Sequence, residues 1–132
     1  MFVGTLCSDE KISVIAFAQD DMANDFRKAQ VNEVRDAAKK HQNLKFVYSD
    51  AKGKTSKLIY QIDNFIKEKV DVIIVGTNDA NAVVPVVAKA YKSGIHVIIL
   101  DRGINSAEYT TFINSDNIKI GSIGAKFIAK EL

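Results

Sequence analysis

Apolar runs of five to eight residues recur along this chain, and three of them stop abruptly at a polar cluster. Lys11-Ile-Ser-Val-Ile-Ala-Phe-Ala18 runs into Gln19-Asp20-Asp21, Val70-Asp-Val-Ile-Ile-Val75 into Thr77-Asn78-Asp79, and His96-Val-Ile-Ile-Leu100 into Asp101-Arg102. Runs this continuous suit strands buried on both faces, as in a parallel sheet. They predict strands over 12–18, 71–75 and 97–100, with further strands at 44–48 and 110–113. Between them the apolar spacing becomes helical. A helix over 25–41 carries Phe26, Ala29 or Gln30, Val34, Ala37 and Ala38 on one stripe, and Lys39, Lys40 and His41 complement the dipole in its last turn. A second helix starts near Thr55, read as its N-cap, with Leu58, Ile59, Ile62, Phe65 and Ile66 facing inward. A third carries Val83, Val86, Val87, Ala90 and Tyr91. Pro85 forbids its starting much before Ala82, and Gly94 terminates it. The last helix runs from Asn117 to the C-terminus, with Ile120, Ile123, Phe127 and Ile128 on one face.

The order β-α-β-α-β-α-β-β-α predicts an α/β fold, a doubly wound parallel sheet with helices on both faces. Right-handed crossovers make the strand order 2-1-3-4-5, which is flavodoxin-like. The ends of strands 1, 3 and 4 then lie side by side. Ligands of open α/β sheets bind just outside the carboxyl ends of the strands, so the three polar clusters share one crevice.

Composition narrows the function. A length of 132 residues makes one domain. A net charge of +2, with basic residues scattered along helical faces, gives no footprint for nucleic acid. No apolar stretch approaches the roughly 18 residues that span a bilayer. Residues 1–10 read as a disordered leader. Within it, Cys7-Ser8 followed by Asp9-Glu10-Lys11 looks like the start of a mature bacterial lipoprotein, although Leu6 stands where such signals place a small residue. A single Cys cannot form an internal disulfide.

The loop after the first strand, Gln19-Asp-Asp-Met-Ala-Asn-Asp25, has no glycine and three aspartates, which argues against a dinucleotide cofactor. There is no Walker A sequence, no metal-ligand motif and no nucleophile–base set, so neither an enzyme nor a cofactor is expected. A phospho-receiver domain shares the strand order and the acidic pair Asp20-Asp21. It needs an Asp immediately after strand 3, a Ser or Thr after strand 4 and a Lys after strand 5, whereas this chain has Gly76-Thr77, Asp101-Arg102 and Asn114-Ser115.

Asp101-Arg102 is the sharpest local signal. A carboxylate accepts bonds from two neighbouring hydroxyls and a guanidinium donates a fork of N–H groups, so the pair can read a polyol. Phe26-Arg27 opens the first helix on the same rim. Phe26 alone reads as core packing. Arg27 does not, since burying an unpaired charge is costly. Asp20-Asp21 and Asn78-Asp79 read as rim or helix-capping residues.

Together these residues resemble the first lobe of bacterial type I periplasmic sugar-binding proteins, the ribose, galactose and galactofuranose group. Phe17-Ala-Gln19, six loop residues and Phe26-Arg27 are similar to the galactofuranose branch, where the aromatic is Trp. Leu100-Asp101-Arg102 matches the end of the family's fourth strand, and Ser115-Asp116-Asn117 with Gly121 its passage into the next helix. The resemblance runs from about Lys11 to the end of the chain. It implies that Arg27, Asp101 and Arg102 bond sugar hydroxyls, that Phe26 lies against the ring, and that Gln19 and Asn24 contribute further. It implies no metal and no cofactor. It also implies a sugar-binding component of an ABC-type transporter or an extracellular sensor, outside the cytoplasm, with a permease or sensor kinase as partner. Residues 11–116 would form the lobe and 117–132 the crossover helix that begins a second, missing lobe. An exposed lobe surface would favour self-association. A lactose-repressor-type regulator shares this fold, but a helix-turn-helix pair should precede its core, and the residues before the first strand carry none.

Overall fold

The computed structural model describes residues 11–132; the expected leader, with Cys7, lies outside the described residues. Five strands form one parallel sheet: β1 (Ser13–Gln19), β2 (Leu44–Asp50), β3 (Val72–Gly76), β4 (His96–Leu100) and β5 (Thr111–Ile113), in the order β2-β1-β3-β4-β5. Four helices join or follow them: α1 (Asp25–Ala38), α2 (Thr55–Lys67), α3 (Val84–Lys92) and α4 (Asn117–Glu131). Fold class and strand order are as the apolar runs predict.

Strand alternation divides the core. Ala16, Ala18, Ile73, Val75, Val97 and Ile99 point to the face covered by α2 and α3, where Leu58, Ile62, Val83 and Val87 are fully buried. Phe17 and Ile74 point to the other face, against Val31 of α1.

The helices depart from expectation in detail. The buried residues of α1 are Arg27, Val31 and Ala38; of the expected stripe Ala38 is buried and Val34 half-buried, whereas Phe26, Ala29 and Ala37 are exposed. Phe26 is 60% exposed, so its reading as core is corrected. The helix ends at Ala38, and Lys40 and His41 follow in a tighter turn, their N–H groups bonding Ala37 and Ala38 three residues back. The N-cap of α2 is Lys54, with no side-chain cap bond, and Thr55 is already helical. Tyr91 of α3, expected on the buried stripe, is exposed.

Register fixes the site. Gln19, the last residue of β1, pairs with Asp50 on one side and Gly76 on the other. Leu100 pairs with Ile113. The carboxyl ends of β1, β3, β4 and β5 therefore form one edge.

Candidate functional site

Four connections meet at that edge. After β1 the chain turns at Asp21, whose Oδ1 accepts from the Ala23 N–H at 2.8 Å. Asn24 caps α1 by accepting the Arg27 N–H on Oδ1 at 2.9 Å. After β3, Asp79 Oδ1 accepts the N–H groups of Asn81 and Ala82 at 3.0 and 2.9 Å; these bonds, that of Ala82 foremost, hold its carboxyl below the usual carboxylate range. After β4, Asp101 adopts φ +70°, with the Arg102 N–H bonded to the Leu100 carbonyl across it at 3.0 Å, a γ-turn. After β5, Asp116 caps α4 through the Lys119 N–H.

The charged side chains interlock. Arg27 Nη1 is ion-paired with Asp20, and the two side chains are only 9% and 6% exposed. Arg27 Nη2 donates to Asn78 Oδ1 at 2.6 Å, and Arg102 Nη1 donates to the same oxygen at 2.7 Å. Burial and the charge of Arg102 lower the Arg27 pKa, opposed by the Asp101 carboxylate. A guanidinium nevertheless keeps its charge in proteins.

A depression of ≈ 590 Å³ opens above this network, within the roughly 300–1,000 Å³ range of small-molecule sites. Asn24, Phe26, Arg27, Asp101 and Arg102 line one side, and Ser115, Asn117 and Ile120 at the start of α4 the other. Five of the six residues singled out from the sequence thus share one depression. Gln19 does not line it: 1% exposed, its amide bonds Gln30 Oε1 at 3.2 Å and lies over Gly76, where a Cβ would overlap Gln19 Oε1. The missing Cβ at Gly76 is what lets that amide approach the strand so closely.

Two residues read as rim or caps have other roles. Asp20 is the buried partner of Arg27, and Asn78 joins the two arginines. Only their place in the strand-end clusters pointed to them. Asp21 and Asp79 serve turns, but neither caps a helix: Asn24 caps α1, and α3 has no side-chain cap.

Two other depressions have similar volumes, ≈ 550 and ≈ 580 Å³. One lies between α2 and α3 with a largely apolar wall of Ile59, Tyr60, Pro85 and Val86. The other lies near Lys69 and His96, at the amino ends of the strands, away from the edge where open α/β sheets bind ligands. Among the described residues no group of three His, Cys, Asp or Glu is placed to hold a metal, and no helix is long and apolar enough to cross a membrane.

Residues 15–132 match the family model described as a periplasmic binding protein domain. The chain is 27% identical over 124 residues to the ribose import binding protein of Bacillus subtilis, covering 94% of this chain and 40% of that protein. It is 37% identical over 83 residues to the D-xylose-binding periplasmic protein of Haemophilus influenzae, covering 63% of this chain and 25% of that one. Among solved structures, the fructose-binding periplasmic domain of a hybrid two-component system superposes with a TM-score of 0.80 at 31% identity, over 90% of this chain and 39% of that one. A galactofuranose-binding protein superposes with a TM-score of 0.81 at 26% identity, over 90% and 41%. The chain spans about two fifths of the length of the ribose-binding relative and of both structures.

Proposed function

This chain belongs to the periplasmic binding protein family, and from that premise we propose that it is the sugar-binding first lobe of a solute-binding protein. One observation carries the reading: Phe26 from α1 and Asp101 and Arg102 from the turn after β4 converge with the buried Arg27 on one depression at the carboxyl edge of the sheet. Asp101 offers a carboxylate to two adjacent hydroxyls. Arg102 spends one nitrogen on Asn78 and keeps its remaining donors for the ligand. Phe26, unburied, offers a ring face to the apolar C–H face of a sugar. Arg27 forms the floor, and the capping side chain of Asn24 the rim.

On this reading the module binds and does no covalent chemistry. It works outside the cytoplasm and delivers sugar to a transporter permease or a sensor kinase. Residues 11–116 form the lobe, and α4 begins the passage to a second wall. The apolar face of α4, exposed throughout, supports that assignment. The receiver alternative has no support at the phospho-acceptor position, where β3 ends at Gly76 and Thr77 follows.

Calorimetric titration of the natural full-length protein with a panel of pentoses and hexoses tests the reading. At least one sugar should bind, and Asp101→Asn should weaken it tenfold or more. Binding of no sugar, or binding indifferent to that substitution, would sink it.

A further inference from the structure

We propose that Asn78 is a positioning residue of the sugar clamp: its side-chain oxygen holds Arg27 and Arg102 together as one unit on the wall of the depression. The inference rests on the sugar-binding reading and assigns a residue to it that neither Asp101-Arg102 nor Phe26-Arg27 includes.

The place of Asn78 follows from topology. β3 lies between β1 and β4, so a residue two positions beyond its end stands between the chain that enters α1 and the chain that leaves β4. Arg27 reaches it from one side at 2.6 Å and Arg102 from the other at 2.7 Å. A carbonyl oxygen has two lone pairs, and both are used.

The loop that carries Asn78 is itself fixed. Thr77 is buried, and its hydroxyl bonds the N–H and the carbonyl of Asp79 at 3.1 and 3.2 Å. The Asn105 N–H donates to the Ala80 carbonyl at 2.9 Å, and Asn105 Nδ2 donates to Asn81 Oδ1 at 2.6 Å. The loops after β3 and β4 are thereby tied to each other, and Asn78 stands on an anchored base.

The chemistry explains why an amide suits the position. Two guanidiniums repel, and each arginine side chain loses much rotamer freedom when ordered. A neutral acceptor between them fixes both without neutralising either. Asp20 already balances Arg27 from below. Arg102 therefore faces the depression with its charge intact and its orientation set in advance, the arrangement that lowers the cost of binding.

The test uses the natural full-length protein and the sugar that binds it best. Asn78→Leu keeps the shape and removes the acceptor; Asn78→Asp keeps the acceptor. The leucine variant should lose affinity fivefold or more, and the aspartate variant less than fivefold. In the background of Arg102→Ala, Asn78→Leu should cost less than it does with Arg102 present, because the unit is already broken. A leucine variant within fivefold of wild type, equal losses in the leucine and aspartate variants, or strict additivity with Arg102→Ala would each overturn the proposal. Should Asn78→Leu fail to fold, Asn78→Ser, too short to bridge, carries the same expectation. If the wild type binds no sugar, the sugar-binding reading fails and this one falls with it. If the wild type binds and Asp101→Asn weakens it, the outcome for Asn78 judges this inference alone.

Discussion

Asp101 carries two demands at once, a carboxylate at the depression and a backbone at φ +70°. Left-handed φ is costly for most residues and least so for Asn, Asp and Gly. Asp101→Ala should therefore lose about 1 kcal/mol of stability through the backbone alone, whereas Asp101→Asn should stay within about 0.5 kcal/mol of wild type. Urea unfolding of both variants checks this; equal stabilities would show that the turn carries no strain. Asp20 makes a larger demand. Its carboxylate faces Arg27 where both side chains are almost wholly buried. Removing one partner of a buried pair leaves an uncompensated charge, so Asp20→Ala should cost about 3–5 kcal/mol. The double variant Asp20→Leu/Arg27→Met should recover most of that loss. A single-variant cost below about 1 kcal/mol would mean that water reaches the pair.

At the scale of elements, α2 and α3 end alike on different residues. Gly94, at φ +83°, follows α3, and the Gly94 and Ile95 N–H groups bond the carbonyls of Tyr91 and Ala90. This is the Schellman arrangement. Lys69, at φ +54°, closes α2 in the same way, through bonds from Lys69 and Val70 to Ile66 and Phe65. Glycine carries no Cβ penalty in that conformation, so Lys69→Gly should stabilise the protein by about 0.5–1 kcal/mol. A lower denaturation midpoint for that variant would contradict it. The contrast also marks what sequence makes legible. Gly94 announces its turn, and Lys69 does not. The buried stripe of α2 was readable because its residues are apolar and face an apolar sheet. That of α1 was not, because its first buried member is Arg27, admitted by Asp20 seven positions earlier. No periodicity reveals such a pairing. Neighbouring helical residues stand about 100° apart, so burying Arg27 turns Phe26 outward. One unseen ion pair thus displaced the expected stripe, exposed the aromatic ring and concealed the role of Asp20. The site remained legible as a place because strand order and the abrupt polar ends are both written in apolar runs.

Across the whole molecule, carboxylates hold distant parts of the chain together. Asp63 of α2 bonds Lys67 and Lys89, the latter on α3, and those bonds, Lys67 first, hold its carboxyl below the usual range. The Lys11 ammonium and then the Val14 N–H do the same for Asp71, just before β3. With Asp79, three carboxyls bind protons less readily folded than unfolded. Their contribution is complete above the unfolded pKa of about 3.9 and is lost as pH falls through the lower folded values. The urea midpoint should therefore drop between pH 5 and pH 2.5, and salt should blunt the share from Asp63, whose lysine partners are exposed, while sparing Asp79, whose partners are backbone N–H groups. A flat profile would contradict the assignment. α4 stands apart from this cohesion. Ile123 and Phe127, 59% and 66% exposed, bury little on the lobe, whereas Ile62 of α2 is fully enclosed. Ile62→Ala should cost about 2–5 kcal/mol, and Ile123→Ser/Phe127→Ser about 0.5 kcal/mol or less. An exposed apolar face is also a site of association. At concentrations where the 132-residue chain self-associates in sedimentation velocity, the double serine variant should sediment as a monomer. Loss of lobe stability in that variant would show that α4 packs on the sheet after all, and unchanged association would move the contact to the sheet edge at β2 or β5.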